Sequence, residues 1–274
     1  MQKPWIFGLV LVLVLGPFSF SQQPSGDAAP MVFAYAINAR ELVPVGDIEP
    51  SAARSLTKAA CSTALVSIAL KQDSVNGKSR LVYETDEEIP SGDYCLLGGA
   101  KPHELSFVWG SPMDKPRTLV REKKCLREIS NAAEDLTGRK AAACSILGGY
   151  GTGRIELVDF AQSSEKSPLA SLMIIRHSLV DDTQIYSQAT FPANSAVWTA
   201  EHDGNFRPER FRHLFTVSLS PDPNNGDWFT AIEWDGPKGT DLVLYEPVGD
   251  VLKPIVANHD RATHKVEDAD IAFK

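Results

Sequence analysis

The chain has 274 residues, with 27 Lys and Arg against 35 Asp and Glu, for a net charge of −8. That acidic surplus argues against nucleic acid as a partner. A hydrophobic content of 43% excludes a disordered polypeptide and leaves enough apolar material for one large domain or two small ones.

Lys3 is the only charge ahead of an apolar run of 11 residues from Trp5 to Leu15, which Gly16 and Pro17 end. Ser19 and Ser21 then offer small side chains at the −3 and −1 positions of a cleavage site before Gln22. Residues 1–21 therefore read as a secretory signal peptide, since the run falls well short of the ~20 residues that a membrane-crossing helix needs. The expected product is exported to the periplasm or the extracellular space, with no membrane span after cleavage. Residues 22–30 (QQPSGDAAP) are small and polar and read as a flexible leader.

From Met31 the segment MVFAYAI predicts a strand. After Pro50 the Ala, Leu and Lys density of SAARSLTKAACSTALVSIALK predicts a helix, with Asp47 and Glu49 near its positive end; its second half also reads as a buried strand. Short strands follow at RLVYET, YCLLGG and LSFVWG. Residues 119–136 predict a helix whose apolar stripe is Leu126, Ile129, Ala133 and Leu136, with Gly138 just past its end. Beyond Ala141 the pattern turns to strands: AACSIL, RIELVDF, LASLMIIRHSLV, QIYSQATF, AVWTAE, HLFTVSL, WFTAIEW and DLVLYEPV.

The fold expected from this is α+β, with a mixed α/β region over 31–163 and a mainly antiparallel, sandwich- or barrel-like β-rich region over 164–258. A polar tail occupies 259–274. The boundary at 163 is soft, because one continuous sheet crossing it fits almost equally well.

Four cysteines, Cys61, Cys95, Cys125 and Cys144, remain after cleavage, and an even number in an exported chain predicts two disulfides. Of three possible pairings, Cys61 with Cys95 and Cys125 with Cys144 close the shorter loops. No Cys-x-x-Cys spacing is present, so neither a zinc ribbon nor a redox pair is indicated.

Catalytic patterns are weak throughout. Gln72–Ser79 ends in Gly-Lys-Ser, but it lacks the first glycine of a phosphate loop and leads into a strand, so it reads as a hairpin at Asn76-Gly77. Gly149, Gly151 and Gly153 also precede a strand, where a dinucleotide loop needs a helix. Two Ser-x-x-Lys matches, at Ser55 and Ser163, lack the companion elements of penicillin-recognising enzymes. Glu201-His202-Asp203 groups a histidine with carboxylates, and His177, His202 and His213 with Asp203 would need the fold to unite them before a metal could bind. In WFTAIEW the alternation puts Trp228 and Trp234 on one face, where exposed rings could stack on sugars and buried ones would serve a core.

The reading is an exported protein with a non-enzymatic binding or structural role in the cell envelope or extracellular space, with a protein or glycan partner and no cofactor or metal. One alternative is a secreted hydrolase using Asp181, Asp182, Glu201, His202 and Asp203. The other is a carbohydrate-binding module using Trp228 and Trp234.

Overall fold

Small side chains decide the architecture of the strands between Val32 and Gly99. The structure, a computed structural model, describes residues 30–75, 78–99, 106–110, 120–122, 125–150, 153–160, 168–177, 183–192, 211–219, 228–236 and 239–260. Strands β1 (Val32–Asn38), β2 (Glu41–Pro44), β3 (Leu56–Ala60), β4 (Leu65–Val75), β5 (Lys78–Thr85) and β6 (Tyr94–Gly99) close into an antiparallel barrel in the order β1-β2-β5-β4-β3-β6. Ala34, Ala36, Ala59, Cys61 and Cys95 fill its interior together with Leu42, Leu56, Val66, Tyr83 and Leu97. A barrel this narrow takes small residues between large ones.

The mixed α/β N-terminal half is therefore corrected. Of the helix expected after Pro50, a single turn remains, α1 (Pro50–Ala53), and its Ala53 carbonyl accepts a bond from the Tyr83 hydroxyl at 2.8 Å. Ala59 and Ala60 lie in β3, where tertiary packing outweighs alanine's modest helix preference. The described residues are almost entirely β.

The chain then enters a second sheet. It holds β7 (Ser106–Gly110), β8 (Val120–Glu122), β9 (Ala141–Tyr150), β10 (Gly153–Phe160), β11 (Pro168–His177), β12 (Gln184–Pro192), β13 (Phe211–Ser218), β14 (Trp228–Gly236), β15 (Gly239–Val248) and β16 (Val251–Asp260). The order β7-β13-β14-β15-β16-β12-β11-β10-β9-β8 consists of two antiparallel runs joined by one parallel pair, Gln188 with Val251. β10 and β11, on either side of residue 163, are antiparallel neighbours, so one sheet crosses that point.

Helix α2 (Arg127–Thr137) follows β8 and is shorter than the 119–136 reading, because residues 120–122 pair with β9 and Leu126 is the extended N-cap. Ile129 and Ala133 are buried, whereas Leu126 and Leu136 are 48% and 38% exposed. The helix ends at Gly138, whose φ of +66° suits glycine.

Alternation along β14 and β15 divides the apolar residues between two cores. Phe229, Ala231, Leu242 and Leu244 join Phe215 and Val217 of β13 against the outside of the barrel, where they meet Phe33, Tyr35, Tyr94 and Leu96. Ile232, Trp234, Val243 and Tyr245 face inward and meet Ile155, Leu157, Leu172, Ile174 and Phe191, so the sheet is rolled around its own interior. α2 covers the outer face of the β9–β11 run through Ile129 and Ala133, packed with Cys144, Val158 and Met173.

Candidate functional site

A group of buried polar side chains lies where the barrel meets the rolled sheet. Gly92, with φ of +79°, makes the turn into β6, and the Ala36 amide donates to the Asp93 carbonyl at 2.9 Å, fixing Asp93 beside β1. On the sheet, Arg212 of β13 stands directly opposite Glu233 of β14. The bulge between His213 and Phe215 shifts the alternation, so Arg212 and Phe215 both reach the barrel.

Arg212 Nη2 donates at 2.5 Å to Asp93 Oδ1, and it forms an ion pair with Glu233, whose Oε2 lies 2.5 Å away. The three side chains are 13%, 3% and 8% exposed in the order Arg212, Asp93, Glu233. Ser62, just after β3, donates its hydroxyl to Asp93 Oδ2. Nearby, the Tyr94 hydroxyl donates to Asp260 Oδ2 at 2.8 Å, and Asp260 stands opposite Thr240, which donates to Asp235 at 3.0 Å. Burial, and then the bond to Asp260, push the Tyr94 phenol well above its ordinary range, so it stays a donor.

This arrangement joins a permanently charged guanidinium to carboxylates from both bodies. Removing one partner of such a buried pair leaves a poorly compensated charge and is costly. Its members come from distant parts of the chain, 119 residues separating Asp93 from Arg212. No local pattern announces them.

The structure places the sequence candidates as follows. Cys61 pairs with Cys95 inside the barrel, and Cys125 pairs with Cys144, tying the start of α2 to β9. Trp228 and Trp234 do share a face of β14, and it is the inner one: Trp234 is 5% exposed with its ring 6.0 Å from that of Phe211, and Trp228 is half-buried against the same core. His202 and Asp203, together with Asp181, Asp182 and Glu201, lie outside the described residues. Lys78 and Ser79 of the Gly-Lys-Ser run belong to β5, paired with Val75 and Ser74 of β4.

His213 is buried inside the roll, with Nε2 3.1 Å from Thr216 Oγ1, and burial pushes its imidazole down to about 3. Among the described residues, no group of three or more His, Cys, Asp or Glu is placed to hold a metal ion.

One pair escaped the sequence reading. His259 Nδ1 lies 2.8 Å from Asp241 Oδ1, across the β15–β16 hairpin. Burial raises the Asp241 carboxyl, opposed by its bond to His259. Recognising VLKPIVANHD as a strand would have found it, since the hairpin register then sets 241 opposite 259.

No helix among the described residues is long and apolar enough to cross a membrane. In comparison with known proteins, no family matches this chain, and neither a curated protein nor a solved structure does.

Proposed function

We propose that the protein is exported and serves as a non-enzymatic binding or structural component of the cell envelope or extracellular space. The observation that carries this reading is the pair of disulfides, one closed within the barrel and one anchoring α2 to the rolled sheet. Such bonds persist in oxidising compartments. The ionic cluster lends secondary support, because Arg212, Asp93 and Glu233 are engaged with one another across the junction, as a scaffold requires. The sugar-stacking alternative loses support from Trp234, whose ring lies in the core.

The test is to express the full chain in a secreting host, then determine the compartment, the N-terminal residue and the thiol content. The expected product lies outside the cytosol, begins near Gln22, and shows no free thiol until reduced, then four. A cytosolic product with four reactive thiols and Met1 retained would overturn the export reading. Turnover of ester, glycoside or peptide substrates by the purified protein would overturn the non-enzymatic part.

A further inference from the structure

The two disulfides stand in different surroundings. Cys61 and Cys95 are wholly buried in the barrel interior, among Ala59, Tyr83 and Leu97. Cys144 is buried as well, but its partner Cys125 keeps part of its surface in solvent just before α2. A thiolate therefore reaches the second bond in the folded protein and meets the first only when the barrel opens. The segment closed by Cys125–Cys144, a separation of 19 residues, consists of α2 and the turn into β9. At its C-terminal end the helix is fastened independently of that bond: the Gly138 amide donates to the Glu134 carbonyl at 2.7 Å, and Glu134 Oε1 accepts from the Ala141 amide of β9 at 3.1 Å. At its N-terminal end Leu126 supplies no side-chain cap, and the strand upstream, β8, is three residues paired with β9. Ile129 and Ala133 are the buried residues of the helix, so the disulfide is the strong fastening at this end.

From this geometry we infer that Cys125–Cys144 is a redox-operated latch on α2, opened by a dithiol reductant while Cys61–Cys95 stays closed. One thiolate of the reductant attacks Cys125 Sγ, which forms a mixed disulfide and expels Cys144 as a thiolate that takes up a proton. The second reductant thiolate then attacks the reductant's own sulfur in the mixed disulfide and expels Cys125. The dithiol is thereby oxidised to a disulfide, and the protein disulfide is reduced to two thiols. A helix of 11 residues is marginal in water on its own. Once unlatched, the first turns of α2 lift about Gly138 and uncover Cys144, Val158 and Met173 on the outer face of β9–β11. The strands beneath keep their shape, because β10 remains paired along its length with β9 and β11. Reduction thus turns a covered face into an apolar surface, and reoxidation covers it again.

The inference rests on the pairing of Cys125 with Cys144 and not on the export reading, so protein oxidised in vitro serves as well as exported protein. The full chain with both disulfides formed is treated with dithiothreitol at neutral pH, quenched at intervals with an alkylating reagent and mapped by peptide mass spectrometry. Cys125 and Cys144 are expected to be labelled at least ~100-fold faster than Cys61 and Cys95, which await opening of the barrel. Hydrogen exchange of the form reduced at Cys125–Cys144 alone then reads the helix. The Ser130 amide, which donates to the Leu126 carbonyl at 2.9 Å, is expected to lose protection at least ~10-fold while amides of the β10–β11 ladder hold theirs. Replacing both residues, Cys125→Ser with Cys144→Ser, should loosen the helix in the same way without any reductant. Reduction of the two bonds in step, a Ser130 amide equally protected before and after reduction, or a loss shared by the β10–β11 amides would each overturn the proposal. If the double-serine variant does not fold, the wild-type comparison decides alone.

Discussion

Gly148 of β9 lies directly against His213 of β13, so closely that a β-carbon at residue 148 would sit 2.6 Å from the imidazole Nδ1. The short neighbours β8 and β7 pair with residues 144–146 of β9 and with Phe215–Ser218 of β13, so the two strands approach each other beyond those pairings. The contact brings the two runs of the rolled sheet together.

Gly148→Ala is therefore expected to destabilise the protein by roughly 1–3 kcal/mol through overpacking. The loss should be smaller in a His213→Ala background, where the colliding ring is absent. Urea unfolding of the four proteins of this double-mutant cycle measures the coupling, and additive losses would show that the ring is not what Gly148 accommodates.

His213 also sets a pH dependence. Burial holds its imidazole at about 3, against an ordinary value near 6.5. The unfolded chain thus takes up this proton first on acidification. The stability from keeping the ring neutral is fully present above about pH 6.5 and declines as pH falls from there toward 3, with a slope approaching ~1.4 kcal/mol per pH unit. His213→Asn should flatten urea midpoints between pH 6.5 and 4 relative to wild type; parallel curves would contradict the assignment.

The disulfides should differ in weight. On loop length alone, losing Cys61–Cys95, with a separation of 34 residues, costs about 4 kcal/mol, and losing Cys125–Cys144, with a separation of 19, costs about 3 kcal/mol. Both Cys61 and Cys95 are wholly buried in the barrel interior, so a paired alanine replacement there adds a packing loss. Thermal unfolding of the two double-alanine proteins is expected to rank them in that order.

Tyr94→Phe deletes the donor to Asp260 and leaves that buried carboxylate one bond short, at a cost of about 1–3 kcal/mol. Because the Tyr94 phenol is held well above its ordinary range, the variant should show the same spectrophotometric tyrosine titration as wild type up to about pH 12. A titrating tyrosine missing near pH 10 from the variant would place the Tyr94 hydroxyl in water.

The sequence carried some of this architecture plainly and some not at all. Short runs rich in β-branched and aromatic residues, such as RIELVDF and WFTAIEW, were legible as strands; β10 and β14 lie there, buried on both faces. The Ala-rich stretch after Pro50 misled because alanine suits both a helix and the inside of a narrow barrel, and composition does not separate them. Leu126 and Leu136 fit a helical stripe by spacing, yet one is the extended N-cap and the other lies in the last turn. β16 went unread because Lys253, Pro254, Asn258 and His259 interrupt its apolar character. Lys and Pro are common where a strand has a poorly paired side, as β16 does toward β12. The Arg212 cluster was invisible for a different reason: its members meet only after the barrel has docked.

That separation along the chain has a consequence during synthesis. All six barrel strands and their internal disulfide lie between Val32 and Gly99, so this body is complete in the nascent chain long before Arg212 is translated. Until then Asp93 has Ser62 beside it but lacks its cation, and Phe33, Tyr35 and Leu96 present an uncovered greasy wall. That interval is when the growing polypeptide is most exposed to aggregation, and the arrival of β13 to β15 ends it by covering the wall and supplying the charge together.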